Sequence, residues 1–210
     1  MTSEFTFDVY DEAFWKENGS PDHRAAERSI AGHIHTMLQP TSVVDVGCGT
    51  GQMLEVFRER GVRSLLGLES SEGIEWCRKL GIQEAGAYIH PADLRDEEAI
   101  LNAPGGGVVD LVVCVEVAEH LPEEACRHVV SDICRYIRPK WLAFSGAVPR
   151  SPGGTGHINE HYFEYWRDLV QSFGTHVLDR EKSNALHRFL DGCDPMFTWA
   201  SNVYLYRRLL

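Results

Sequence analysis

Residues 43–51 read Val43-Val44-Asp45-Val46-Gly47-Cys48-Gly49-Thr50-Gly51 and are the most informative part of the chain. The β-branched first half is typical of a buried strand, and glycines then occupy every second position. Met53, Leu54 and Phe57 follow at helical spacing up to Gly61. The order strand, glycine turn, helix leaves backbone N–H groups at a turn that a ligand can approach closely. A carboxylate or phosphate ligand fits such a turn, although a tight turn without a ligand has the same pattern.

Helical and strand-like patterns alternate along the rest of the chain. Residues 108–115 are the strongest predicted strand, because a nearly continuous apolar run is typical of a strand buried on both faces. The alternation predicts an α/β fold with a mostly parallel sheet. The predicted strands are residues 43–46, 64–68, 87–90, 108–115, 141–148, 176–178 and 200–206. The predicted helices are residues 21–38, 53–61, 72–80, 122–137, 160–173 and 184–190.

The composition is that of an ordinary globular protein. A chain of 210 residues with 43% hydrophobic residues can bury a core without disulfides, and we expect one domain over residues 1–210. The 31 acidic residues outnumber the 20 Lys and Arg, for a formal net charge of −11. Binding to phosphate backbones draws its affinity largely from Lys and Arg, so nucleic acid is a disfavoured partner.

The cysteines and the terminus bear on the cell compartment. The six cysteines contain no C-x-x-C pair, which argues against zinc knuckles and thioredoxin-like motifs; they are Cys48, Cys77, Cys114, Cys126, Cys134 and Cys193. No apolar run reaches the roughly 18 residues of a membrane span, and the first residues lack the basic and apolar regions of a signal peptide. We therefore expect a cytoplasmic protein with reduced thiols and no membrane partner.

Two nucleotide ligands compete for the glycine turn. The dinucleotide fingerprint is G-x-G-x-x-G, whereas this turn is G-x-G-x-G, because Gly51 follows Thr50 directly. Glu69 ends the second predicted strand. An acid at that place can accept hydrogen bonds from both ribose hydroxyls of a nucleoside. The sequence therefore favours a nucleoside ligand other than a dinucleotide.

In these features the chain resembles the class I S-adenosylmethionine-dependent methyltransferases, over nearly its whole length. Residues 43–51 resemble the first motif of that family, Glu69 its ribose-binding acid and residues 92–94 its adenine-contacting loop. Residues 110–117 resemble its fourth-strand motif and 202–207 its closing strand. The resemblance implies a doubly wound, seven-stranded Rossmann-like sheet with an antiparallel last strand and helices on both faces. It also implies methyl transfer from S-adenosylmethionine, leaving S-adenosylhomocysteine.

The resemblance further implies the cofactor contacts. The glycines would hold the methionine part, Glu69 the ribose, and Asp93 the adenine amino group. Residues 1–38 would form a lid and first helix, with Tyr10 touching the cofactor. The implied contacts are Gly47, Cys48, Gly49, Gly51, Glu69, Ser70, Asp93, Leu94, Glu116 and Tyr10.

Three histidines are the candidates for acceptor chemistry. If the acceptor is a hydroxyl, the protein must align it and remove its proton. His120 follows the fourth predicted strand and would lie at the carboxyl edge of the sheet, where open α/β folds bind ligands. His157 and His161 follow a glycine-rich loop after the fifth strand. Residues 149–161 and 183–199 would then form acceptor-side loops.

The pattern Glu116-x-x-Glu119-His120 also leaves a metal-assisted reaction open. It resembles the ubiquinone-pathway O-methyltransferases and the small-RNA 2′-O-methyltransferases, in which two carboxylates and a histidine can hold Mg²⁺. We favour a metal-free transfer to an oxygen, and less so to a nitrogen, of a small metabolite or sugar. The −11 charge weighs against an RNA acceptor. A cofactor-binding protein without transferase activity is a third possibility.

Overall fold

The computed structural model describes residues 10–81, 88–104, 108–149, 154–191 and 202–209. The helices are α1 (Glu12–Asn18), α2 (Pro21–Leu38), α3 (Gln52–Glu59), α4 (Ser71–Lys79), α5 (Glu123–Asp132), α6 (Phe163–Ser172) and α7 (Arg180–Leu190). The strands are β1 (Ser42–Val46), β2 (Ser64–Glu69), β3 (Ile89–Pro91), β4 (Leu111–Cys114), β5 (Trp141–Phe144), β6 (His176–Leu178) and β7 (Tyr204–Arg208).

The strands form one seven-stranded sheet in the order β3-β2-β1-β4-β5-β7-β6. Strands β1 to β5 pair in parallel, and β7 lies antiparallel between β5 and β6. The chain winds outward from β1 in one direction and from β4 in the other. The switch between β1 and β4 opens a crevice at the carboxyl ends of the strands, where such sheets bind ligands. The predicted doubly wound sheet with an antiparallel last strand is confirmed.

Helices cover both faces of the sheet, because successive strand residues point to opposite sides. Val112 and Cys114 join an apolar cluster under α5 and α6, whereas Leu111 and Val113 join another under α2, α3 and α7. Both faces of β4 are therefore buried, which explains its apolar sequence.

Helix α2 has the bounds that the sequence predicts. The Ser20 hydroxyl accepts a hydrogen bond from the His23 N–H, and Pro21 takes the first helical position. Gln39 ends the helix in a left-handed conformation with φ +45°.

Two central strands are shorter than predicted. Val108 is 59% exposed, and the Asp110 carboxylate binds the Lys140 ammonium group and the Thr41 hydroxyl, so β4 begins at Leu111. Strand β5 ends at Phe144, before the segment that leads to His157 and His161.

Other predicted bounds change at helix ends. Helix α6 begins at Phe163 rather than residue 160, and α7 begins at Arg180 because the Asp179 carboxylate caps it. Helix α5 continues into a wider helical turn over Ile133–Ile137. Some predicted features lie outside the described residues: Ala87, Pro152, Gly153, Cys193, Ala200 and residues 192–199 of the second acceptor-side loop. Among the helices that the structure describes, none has the length and apolarity needed to cross a bilayer.

Candidate functional site

The glycine loop between β1 and α3 has a fixed backbone. Gly47, Gly49 and Gly51 have φ values of +71°, +53° and +78°, which glycine adopts without strain. The N–H groups of Gly47 and Cys48 both donate to the Leu68 carbonyl oxygen, at 2.8 and 3.0 Å. The loop is therefore tied to the end of β2.

The missing side chains have different consequences within this loop. A Cβ atom at Gly47 would lie 2.6 Å from Cγ2 of Val117, so this glycine permits close packing. Among the described residues, a Cβ at Gly49 would have no atom within 4 Å, so the open side of the loop is at Gly49. Cys48 is buried with its sulfur against Gly67, its N–H donates to the Leu68 carbonyl oxygen, and its carbonyl oxygen accepts from the Gly51 N–H, so Cys48 fixes the shape of the loop.

Glu69 lies at the end of β2 and faces the glycine loop. Its Oε2 accepts from the Gly49 N–H at 2.8 Å, and its Oε1 accepts from the Ser70 N–H at 2.7 Å. Burial raises the pKa of Glu69, and these two N–H donors counteract the rise. A carboxylate offers about four lone-pair sites, so each oxygen can still accept from a ligand hydroxyl. The Ser70 hydroxyl caps α4 by accepting from the Gly73 N–H.

Asp93 and Leu94 lie beyond β3, next to Glu69. The Ala92 N–H donates to the Glu69 carbonyl oxygen, which holds this loop at the sheet edge. Both Asp93 carboxylate oxygens accept from the Arg95 guanidinium, which lowers the pKa of Asp93. An adenine amino group at Asp93 would share the carboxylate with Arg95. Leu94 packs against the apolar cluster below.

Helix α1 and the preceding residue Tyr10 contact both α4 and the loop after β4. Trp15 is buried against Gly73, where a Cβ atom would lie 2.7 Å from its ring. The Tyr10 hydroxyl lies 3.1 Å from Nδ1 of His120. Burial, with the nearby carboxyls of Glu69 and Glu119, raises the pKa of Tyr10 to about 12, so its hydroxyl is protonated at neutral pH and shares a hydrogen bond with His120. Tyr10 therefore contacts the histidine rather than lying free beside the loop.

Two carboxyl groups follow β4. Glu116 adopts φ +57°, and its backbone N–H and its carboxylate both bond the Ser145 hydroxyl at 2.8 Å. Glu119 is 0% exposed, and within the described residues neither of its carboxylate oxygens has a hydrogen-bond partner. Burial and the Glu116 carboxyl raise the pKa of Glu119 well above its ordinary value. Glu119 is therefore held either as a neutral acid or against a cation.

His120 and His157 meet beside Glu119. Their rings lie at right angles with centroids 4.9 Å apart. The Ile158 and Asn159 N–H groups donate to the Glu119 carbonyl oxygen at 2.9 and 3.1 Å, which brings the second loop against the first. Burial lowers the pKa of His120 to about 4, so its ring is neutral at pH 7. Nδ1 of His157 lies 3.0 Å from Oε1 of Glu160.

This arrangement can hold a metal ion. One ligand atom from each of Glu119, His120 and His157 lies within 4.8 Å of the other two. A buried carboxylate beside two imidazole rings is a common donor set for a divalent cation. The same groups, without a metal, can accept a proton from an acceptor hydroxyl.

His161 lies apart from this pair. Its Nε2 lies 3.0 Å from Oδ1 of Asn159, and its ring stacks on Tyr165 with centroids 3.7 Å apart. Phe189, from the second predicted acceptor-side loop, stacks on His33 of α2 with centroids 4.0 Å apart. Of the three histidines that the sequence proposes, the structure brings two together.

Three polar residues of the site were not predicted. Glu160 bonds His157, while Glu27 and Thr50 have buried oxygens without a hydrogen-bond partner. Glu27 follows Ala26 on the apolar face of α2, one turn before Ile30. A carboxyl group on the apolar face of a predicted helix can be seen in the sequence, so this pattern could have identified Glu27 as a candidate.

Comparisons with known proteins identify the family of the chain. A family model described as a methyltransferase domain matches residues 22–191. The ubiquinone biosynthesis O-methyltransferase of Methylococcus capsulatus is 33% identical over 122 residues, which are 56% of this chain and 47% of that protein. The chain therefore spans about half the length of the curated relatives it matches.

Two solved structures are similar in fold. Magnesium protoporphyrin IX methyltransferase from Synechocystis PCC 6803, with bound S-adenosylhomocysteine, matches with a TM-score of 0.58 and 18% identity, over 89% of this chain and 82% of that one. The small RNA methyltransferase HEN1 matches with a TM-score of 0.57 and 14% identity, over 86% of this chain and 25% of that one.

Proposed function

The chain belongs to the class I S-adenosylmethionine-dependent methyltransferases, and on this premise we propose that it transfers the cofactor's methyl group to an oxygen of a small metabolite or sugar. A nitrogen acceptor is the less favoured form. The observation that carries the proposal is the presence of two groups of polar residues at the carboxyl edge of the sheet. The glycine loop bonded to Glu69 forms the first end of the site, and the pair His120 and His157 forms the second.

The residues of the first end fit the cofactor. The open space at Gly49 admits a ligand beside the loop backbone, and the unpaired Thr50 hydroxyl supplies a further polar contact. The N–H groups of Gly49 and Ser70 each occupy one lone pair of the Glu69 carboxylate, and its remaining lone pairs would accept hydrogen bonds from the ribose hydroxyls. Asp93 would contact the adenine amino group, and α1 would close over the site and exclude water.

When bound, S-adenosylmethionine supplies an electrophilic methyl group on a sulfonium sulfur. The protein's part is to align the acceptor oxygen with that methyl group and to remove its proton. We assign the proton to Nε2 of His157, because Glu160 engages Nδ1 of the same ring. The Tyr10 hydroxyl lies at Nδ1 of His120 and would orient that neutral ring beside the acceptor oxygen.

Titration of S-adenosylmethionine and S-adenosylhomocysteine by calorimetry tests the proposal. We expect both to bind, and we expect S-adenosylhomocysteine to accumulate when the protein is supplied with a panel of phenols, catechols and sugars. Absence of cofactor binding by the folded protein would overturn the proposal. Binding with no turnover on any acceptor would favour a cofactor-binding protein without transferase activity.

A second candidate function is a metal-assisted O-methyl transfer. It is supported by the Glu119 carboxylate, which lacks a hydrogen-bond partner within the described residues and lies beside His120 and His157. These three residues would hold a divalent cation, with Glu116 as a further oxygen ligand. Mg²⁺ prefers oxygen ligands, whereas Mn²⁺ and Zn²⁺ also accept imidazole. The metal would lower the pKa of an acceptor hydroxyl bound to it.

Chelation separates the two candidates. Under the metal-assisted reaction, exhaustive treatment with a chelator abolishes turnover and added Mg²⁺ or Mn²⁺ restores it. Under the metal-free reaction, turnover survives the chelator unchanged. An RNA acceptor remains disfavoured by the −11 charge, and a synthetic RNA duplex included in the acceptor panel tests it.

A further inference from the structure

Glu27 is a buried carboxyl group that the cofactor and acceptor contacts above leave without a role. It lies in the middle of α2, its side chain is 15% exposed, and its buried Oε2 has no hydrogen-bond partner among the residues that the structure describes. His23 approaches only the other oxygen, at 3.8 Å. An unpaired buried carboxylate oxygen costs free energy unless a ligand or a proton satisfies it.

The surroundings of Glu27 place it at the glycine loop. The charged and titratable groups that face it are His23 and Arg24 on α2, Asp45 on β1 and Cys77 on α4. The Cys77 sulfur lies 3.7 Å from the Gly49 carbonyl oxygen, so the loop is next to this group.

Two further contacts connect the same helix to the loop. Arg24, one turn before Glu27, donates to the Gln52 side chain at 2.6 Å, at the first residue of α3. Thr50 is 5% exposed, and within the described part of the chain its hydroxyl has no hydrogen-bond partner. Two unsatisfied oxygens, from Glu27 and Thr50, therefore belong to one region beside the loop.

The charge of this region favours a cation. Asp45 is buried beside Glu27, and the two carboxyls repel each other when both are ionised. Burial raises the pKa of Glu27 to about 8, with Asp45 adding to the rise and Arg24 opposing it. A positively charged ligand group would satisfy the free oxygen and ionise the acid.

We propose that Glu27 binds the α-ammonium group of S-adenosylmethionine, with the Thr50 hydroxyl as a second acceptor. The inference rests on the proposed function, under which the glycine loop holds the methionine part of the cofactor. The ammonium group is the cation at that end of the molecule. Glu27 would thus recognise the amino-acid end, while Glu69 recognises the ribose.

The test compares two ligands on two proteins. The ligands are S-adenosylhomocysteine and its deamino analogue, in which hydrogen replaces the α-amino group. The wild-type protein should prefer S-adenosylhomocysteine by about 10- to 100-fold, as expected for a charge-assisted hydrogen bond. Glu27→Gln should lower that preference to less than about 3-fold, through weaker binding of S-adenosylhomocysteine alone. The matched control is Glu59→Gln, which alters a surface carboxylate paired with Arg28.

The outcomes separate the inference from the proposed function. If wild-type protein binds no S-adenosylhomocysteine, the proposed function fails and the inference with it. If Glu27→Gln binds it like wild type, or loses affinity for both ligands equally, the inference is overturned and the proposed function stands. If Glu27→Gln does not fold, Glu27→Asp replaces it. This variant keeps the charge but shortens its reach, and it should lower the preference without affecting the deamino analogue.

Discussion

The two ends of the site are built in different ways. The end that we propose for the cofactor, the cofactor end, is made of backbone, since three left-handed glycines and the N–H groups of Gly49 and Ser70 shape it around Glu69. The end that we propose for the acceptor, the acceptor end, is made of side chains from separate loops, since His120 follows β4 and His157 follows β5. A backbone-built end depends on conformation, and a side-chain-built end depends on individual functional groups. Substitutions should therefore affect binding at the first end and turnover at the second.

The largest effect should come from Gly49→Val at the cofactor end. The new side chain would occupy the open space beside the loop in a backbone conformation that β-branched residues avoid. We expect the affinity for S-adenosylhomocysteine, measured by calorimetry, to fall more than about 100-fold. Gly174→Val is the control, because Gly174 likewise has a positive φ, +71°, and open space among the described residues, but lies between α6 and β6. Equal loss of affinity in both variants would contradict the prediction.

The second effect concerns turnover at the acceptor end. His157→Ala removes the ring that we assign as proton acceptor or metal ligand, and kcat should fall about 100- to 1000-fold while the dissociation constant of S-adenosylhomocysteine stays within about 2-fold. The control is His161→Ala, which removes a ring stacked on Tyr165. Were His161→Ala the more damaging variant, the assignment of His157 would be wrong.

The third effect is a pH dependence of stability that arises at the cofactor end. Burial raises the pKa of Glu27 from 4.5 to about 8 and that of Asp45 from 3.8 to about 7. Between these limits the folded, ligand-free protein keeps protons on these two carboxyl groups that the unfolded chain has released, so their contribution to the free energy of unfolding falls as pH rises. The slope approaches about 1.4 kcal/mol per pH unit for each such proton.

Urea unfolding of the ligand-free protein between pH 5 and pH 8 measures this slope. Glu27→Gln should flatten it and should be more stable than wild type at pH 8, because no carboxylate is then left buried at that position. An unchanged slope in the variant would show that Glu27 ionises in the folded state as it does in the unfolded chain.

The smallest effect tests the contact between the lid and the acceptor end. Tyr10→Phe keeps the ring against Phe14 but removes the hydroxyl that is hydrogen-bonded to His120. We expect kcat to fall about 3- to 10-fold, the scale of one neutral hydrogen bond, with little change in cofactor affinity. Tyr165→Phe, which removes a hydroxyl bonded to Glu123, should leave kcat unchanged. A loss of cofactor affinity in Tyr10→Phe would instead assign Tyr10 to the cofactor end.

The cofactor end could be predicted from the sequence because its parts are local. The loop occupies nine consecutive residues, 43–51, and Glu69 follows from the end of the next strand. Strand ends were harder, because Val108 and Asp110 look like strand residues but face solvent and Lys140. The local sequence pattern does not show at which residue of an apolar run the pairing with a neighbouring strand begins.

The acceptor end could be predicted only as a set of candidates. His157 and His161 are four residues apart in a segment without regular structure, so spacing could not decide which one faces His120. The hydrogen bonds of the Ile158 and Asn159 N–H groups to the Glu119 carbonyl oxygen decide it. They join segments that are about forty residues apart in the sequence. Such pairings depend on the folded sheet.

The left-handed backbone at Glu116 has a consequence for attempts to stabilise the protein. A side chain with φ +57° is strained by roughly 1 kcal/mol, and glycine would relieve that strain. Glu116→Gly would also remove the carboxylate from Ser145, and the neutral Glu119 would lose its acidic neighbour. Selection for heat resistance alone would therefore favour variants that lack the carboxylate which we propose for the acceptor chemistry. Under the proposed function, thermostability and activity would thus oppose each other at residue 116.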